Sequence, residues 1–167
     1  NCNIMETTIK YLLDDNCIKE IEDWGCGNCK LRGYIKNVKY IGIDGSNTTF
    51  QNKIEDLTNF KSKVDAIYLK HVLEHNKNWK KILLNLIESF TKKAVIVIHT
   101  PFSDKTNIIG KSIKDFNYYG YYLEVDKLSF NKKEIIDILV NNNIKYKIIS
   151  IDSKNEYKKD NIFYLEK

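Results

Sequence analysis

The chain has one arginine, Arg32, one proline, Pro101, and one methionine, Met5. Base-edge readout and two-pronged phosphate grips lean on arginine, so a protein whose 27 basic residues are lysine but for Arg32 is poorly equipped to read nucleic acid, despite a formal charge of +5. The lysines are spread along the whole sequence, as on a solvated surface, and with the abundant Ile and Asn they match what nucleotide bias alone produces. No apolar run approaches the roughly 18 to 20 residues of a membrane-spanning helix. The N-terminus lacks the basic, apolar and small-residue regions of a signal peptide, so a soluble cytoplasmic protein is expected. The first residue is Asn1, which leaves open a processed chain or a domain of a longer one. All four cysteines fall within the first 29 residues, and only Cys26 and Cys29 have ligand spacing, so a zinc site lacks its second pair.

What is present is an alternation of two periodicities. Apolar residues at Met5, Ile9, Leu12 and Leu13 mark a helix over 5–16, and similar stripes predict helices over 78–90 and 131–142. Between them lie short β-rich runs: 18–24, 39–43, a weak one at 50–54, 64–69, 94–98, 146–151 and 161–165. The runs at 64–69 and 94–98 are nearly continuous in apolar residues, as strands covered on both faces are. The pattern predicts a single α/β domain over 1–167 with a mostly parallel, seven-stranded, Rossmann-like sheet flanked by helices. A polar and aromatic insert over about 102–127 interrupts the rhythm, and its position after a strand end makes it the natural lid.

The stretch Ile21-Glu22-Asp23-Trp24-Gly25-Cys26-Gly27-Asn28-Cys29 overlays a CxxC pair on a GxG turn. A redox or zinc role would leave the acid and the two glycines without a purpose, and reduced packing cysteines are the simpler account. A glycine turn after a strand lets backbone N–H groups approach a ligand closely, and about 20 residues on a second strand ends in Asp44, placed to accept from two ribose hydroxyls. A nicotinamide enzyme would carry the third glycine of GxGxxG, which is missing.

With these features on one chain, Ile18 to Phe102 resembles the class I S-adenosylmethionine-dependent methyltransferases. EDWGCGN is similar to the family's first motif and YIGID to its second; VDAIYLKHVLEH and VIVIHTPF resemble its next two strand ends. The resemblance implies S-adenosylmethionine as cofactor, S-adenosylhomocysteine as product, and contacts from Asp23, Trp24, Gly25, Cys26, Gly27, Asp44, Gly45, Ile54, Glu55, Leu69 and Lys70. Cys29 stands where the family often has a third glycine, and Lys53 where an acid often meets the adenine amino group, which leaves Glu55 or a backbone carbonyl for that task.

The three histidines, His71, His75 and His99, all follow a predicted strand end, where ligands of such sheets bind, and His71 and His99 are the better placed general bases. HVLEH also fits the HxxEH pattern of zinc peptidases, but that pattern needs a helix and a third ligand. The resemblance leaves room for a divalent ion at His71, Glu74 and His75. Tyr118, Tyr119, Tyr121 and Tyr122 flank Gly120 in the insert, either as interface aromatics, for instance of a homodimer, or as substrate-stacking rings of the lid. The expected function is methyl transfer to an oxygen or nitrogen of a small polar substrate, with a sugar or sugar nucleotide leading. The alternatives are a nucleic-acid or protein methyltransferase, and a degenerate cofactor-binding scaffold.

Overall fold

The computed structural model of the chain describes residues 4–14, 16–47, 49–116 and 121–167. Helix α1 (Ile4–Leu13) leads into strand β1 (Glu20–Trp24), and strands β2 (Lys39–Asp44), β3 (Lys53–Ile54) and β4 (Val64–Lys70) follow. Helix α2 (Trp79–Ser89) passes directly into β5 (Phe90–Ile98). A hairpin of β6 (Asn107–Phe116) and β7 (Tyr121–Ser129) comes next, then helix α3 (Lys132–Asn141) and strands β8 (Lys145–Asp152) and β9 (Lys159–Glu166).

Seven strands form one sheet in the order β3-β2-β1-β4-β5-β9-β8. Every strand is parallel except β9, which runs antiparallel to both β5 and β8. The predicted mostly parallel, seven-stranded architecture is therefore the observed one. The order reverses at β1 and β4, and the crevice beyond their carboxyl ends is where such sheets hold ligands.

Strand alternation explains the two-sided core. Ile67, Leu69, Ala94, Ile96, Ile98, Phe163 and Leu165 face one side, beneath the α2 stripe of Trp79, Ile82, Leu83, Leu86 and Ile87 and beneath Ile135 and Leu139 of α3. Their neighbours Ala66, Tyr68, Val95, Val97, Ile162 and Tyr164 face the other side, against Ile9 and Leu12 of α1. A one-residue slip of any central strand would exchange these sets, so burial on both faces fixes the register.

Three differences from the sequence reading have physical causes. The third strand shrinks to Lys53–Ile54, both exposed, because it is an edge strand paired only with β2. Strand β5 starts at Phe90, four residues early, because Phe90 is fully buried and pairs with Val64. The insert is a β-hairpin forming its own two-stranded sheet, so its alternating residues pair with each other. No helix among the described residues is long and apolar enough to cross a membrane.

Candidate active site

Strand β1 ends in a turn that only glycine can make. Gly25 has φ 71°, and a Cβ placed there would lie 2.3 Å from Cγ2 of Val72, which follows β4. The amides of Gly25 and Cys26 both donate to the Ile43 carbonyl, over 2.7 and 3.1 Å, and tie the turn to β2. Gly27, at φ 52°, would have nothing within 4 Å of its Cβ, so the turn's outer side is open. Its amide donates to Asp44 Oδ2 over 2.8 Å, while Oδ1 of Asp44 accepts from the amide and hydroxyl of Ser46, at 2.9 and 2.6 Å.

Cys29 occupies the left-handed region, φ 54° and ψ 35°. That conformation costs a residue with a Cβ about 1 to 2 kcal/mol, which accounts physically for glycine being common at this place. The two thiols lie beneath the turn, Sγ to Sγ 3.1 Å, and pack over Gly42, where a Cβ would meet them at 2.7 and 3.0 Å. Burial, followed by the hydrogen bond from Cys29, pushes the Cys26 thiol pKa well up, the reverse of a reactive thiolate.

These elements wall a cleft of about 510 Å³ lined by Gly25, Gly27, Asp44, Gly45, Glu55 and His71, among others. Its lining also includes Ser46, Asp56, Leu57, Val72, His75, Asn76 and Val125. Ser46 and Asp56 adjoin motif acids and could have been found by extending those motifs; Val125 comes from the hairpin, and no local pattern announces it. The other expected contacts lie elsewhere. Trp24 and Leu69 are fully buried in the core, Trp24 packing edge-on to Phe60 and donating to Glu22. Cys26 sits beneath the turn, Ile54 is exposed on the edge strand, and neither Asp23 nor half-buried Lys70 lines the cleft. Lys53 holds its ammonium 5.9 Å from the Phe60 ring centroid, whereas Glu55 reaches the cleft.

Asp23 lies behind the turn and accepts from the Tyr40 hydroxyl over 2.7 Å. Burial is the main influence on it and raises its pKa to about 7; the Tyr40 bond opposes the rise and the charge of Asp44 adds to it.

Beyond β4 and β5 the histidines meet. The His71 and His99 rings are 4.6 Å apart between centroids, and those of His75 and His99 5.5 Å. His71, at φ 56°, accepts no strain for nothing: its amide donates to Val97 and its Nε2 lies 2.9 Å from Oδ1 of Asp160 on β9. His75 Nδ1 lies 3.0 Å from the Asp126 carbonyl of the hairpin, and Lys77 pairs with the Asp126 carboxylate at 3.0 Å, so β7 is fastened to the cleft's rim. Buried Glu74 accepts from the His99 amide over 3.0 Å, and its Oε1 lies 2.5 Å from His99 Nδ1. Burial disfavours its charge, but His99 and His71 outweigh burial and hold its pKa below the usual carboxylate value.

Among the described residues, the group able to converge on a cation is thus His71, Glu74 and His99, with donor atoms within 4.8 Å, and His75 stands outside it. Two ligands around one metal sit about 3 Å or more apart, so at 2.5 Å Glu74 Oε1 and His99 Nδ1 form a close carboxylate–imidazole contact tighter than a coordination shell, in which Nδ1 itself makes no hydrogen bond among the described residues. Tyr118 and Tyr119, and the side chains of Tyr121 and Tyr122, lie outside the described residues.

Sequence comparison decides the family. The profile of a methyltransferase domain matches residues 13–145. The chain belongs to the methyltransferase-domain family. No curated protein matches it in sequence. Among solved structures, it is similar to the 1,6-didemethyltoxoflavin-N1-methyltransferase of Burkholderia thailandensis, solved with 1,6-didemethyltoxoflavin and S-adenosylhomocysteine (10% identity, TM-score 0.67, 99% of this chain and 77% of that one). It is also similar to the magnesium protoporphyrin IX methyltransferase of Synechocystis PCC 6803, solved with S-adenosylmethionine (13%, 0.66, 98% and 77%). The N-methyltransferase NodS of Bradyrhizobium japonicum, solved with S-adenosylhomocysteine, is a third (11%, 0.64, 99% and 89%). At these identities the likeness is one of fold.

Proposed function

We propose that this methyltransferase-family chain uses S-adenosylmethionine to methylate an oxygen or nitrogen of a small polar molecule, with sugars and sugar nucleotides as the leading acceptor class. The observation that carries this reading is the joining of the glycine turn to the Asp44 carboxylate across the mouth of one cleft. Gly25 has no room for a side chain and Gly27 opens outward, so the turn suits a ligand pressed against bare backbone. The bonds from Gly27 and Ser46 fill three of the roughly four acceptor sites of the Asp44 carboxylate, which leaves one on Oδ2 for a ribose hydroxyl, and Glu55 and Asp56 line the cleft farther along, toward the base. Asp23 lies behind the turn, where its bond from Tyr40 braces the end of β1 against β2.

When bound, the cofactor supplies an electrophilic methyl carbon on a sulfonium. The chain's task is then to align an acceptor and to remove its proton. Of the three candidate bases, His71 lines the cleft and is neither paired with Glu74, as His99 is, nor bonded to the hairpin backbone, as His75 is. The hairpin, through Val125 and Asp126, borders the acceptor end and acts as the lid. Its tyrosines are proposed to stack on the substrate.

Incubation with methyl-labelled S-adenosylmethionine and separate pools of sugars, sugar nucleotides, amines, transfer RNA and protein tests the reading. Label in the sugar pools supports it, and label only in RNA or protein replaces it with a macromolecular acceptor. Cofactor binding with no transfer to any pool favours the scaffold alternative.

A further inference from the structure

Asp160 belongs to β9, near the end of the chain, about 90 residues from the histidine motif, and no sequence pattern connects the two. The sheet joins them because β9 inserts beside β5, next to β4. Its side chain is 1% exposed and meets His71 Nε2 at 2.9 Å, and its Oδ1 also accepts from Asn155 Nδ2 over 3.0 Å. His71 itself is held from behind, since its amide is bonded to Val97 and its backbone is left-handed.

We propose that Asp160 is the positioning residue of the proposed base: it takes the Nε2 proton of His71 in a hydrogen bond and so leaves Nδ1 as the nitrogen that accepts the substrate's proton. In the proton transfer, the acceptor's O–H or N–H bond breaks as its bond to the methyl carbon forms, and the proton moves to Nδ1. The resulting imidazolium lies against the Asp160 carboxylate, which stays ionised. Burial disfavours that ionised form, but the bonds from His71 and Ser153 overcome it and lower the Asp160 pKa. Among the described residues, the other charged or titratable groups around the pair include Glu74, His99, Lys70 and Tyr68; Lys70 lies near enough to Asp160 for their charges to interact. A fixed tautomer is what a histidine base needs, because the hydrogen bond at one nitrogen decides which the other is.

The inference rests on the methyltransferase reading for its purpose, but its geometry is testable without substrate. Nitrogen-15 NMR of the imidazoles in the ligand-free protein, assigned with His71→Gln, His75→Gln and His99→Gln, should show neutral His71 protonated at Nε2 with an exchange-protected proton. Asp160→Leu, which keeps bulk but removes the acceptor, should lose that protection. A His71 protonated at Nδ1, or an Nε2 proton as protected in Asp160→Leu as in the wild type, overturns the pairing. If Asp160→Leu does not fold, the wild-type tautomer alone decides. Titration with S-adenosylhomocysteine on the same samples separates the two ideas: no binding beside an Nε2-protonated, protected His71 removes the cofactor reading and leaves the dyad.

Discussion

The amide of Gly27, at the tip of the turn after β1, donates a 2.8 Å hydrogen bond to the Asp44 carboxylate at the end of β2. Two motifs seventeen residues apart are thereby one structural unit, and a ligand that touches one is presented to the other.

Asp44→Ala removes a charge-assisted acceptor for ribose hydroxyls. The expected loss in S-adenosylhomocysteine affinity is about 1.5 to 3 kcal/mol, or roughly 10- to 150-fold. Calorimetry reads the affinity, and a thermal melt checks that release of Gly27 and Ser46 leaves the fold intact. Unchanged affinity in a folded variant removes Asp44 from the site.

Gly25→Ala forces a methyl group to within 2.3 Å of Val72 Cγ2 on a backbone already at φ 71°. The strain and overlap together should cost about 2 to 4 kcal/mol in urea unfolding. Adding Val72→Ala removes the overlap but not the strain, so the double variant should recover only part of the loss. A single variant as stable as the wild type contradicts the turn geometry.

Asp23 gives a pH dependence whose sign follows from its raised pKa. A carboxyl group that holds its proton more tightly folded than unfolded stabilises the fold fully below the ordinary value of 3.8, and that contribution disappears as pH rises through about 7. Between pH 5 and pH 8 the wild type should therefore lose melting temperature relative to Asp23→Asn. Parallel curves for the two proteins would remove the raised pKa.

The cysteines separate by burial. Cys17 is exposed, whereas Cys26 and Cys29 are buried and the Cys26 thiol is pushed away from ionisation. A thiol reagent at neutral pH, read by mass spectrometry, should modify Cys17 well before either of the pair. Equal labelling of Cys17, Cys26 and Cys29 would reopen the redox role of CxxC.

Much of this was legible in sequence because it is local. The glycine turn, Asp44 and the central strands announce themselves by spacing and by apolar runs, and the sheet was predicted with its strand count. The hairpin was not, since its residues alternate only against one another. Val125 and Asp160 reach the site from β7 and β9, through tertiary pairing that no window of sequence contains. Trp24 and Leu69 neighbour motif residues in sequence, but alternation along β1 and β4 turns their side chains into the core, so only their backbone is left to face a ligand.

The most direct test of the account is calorimetric titration of the purified, folded protein with S-adenosylhomocysteine. The account predicts saturable one-to-one binding in the micromolar range, weakened roughly 10- to 150-fold in Asp44→Ala. No heat of binding from a protein shown by its thermal melt to be folded would contradict it, and the glycine turn would then serve some other ligand or none.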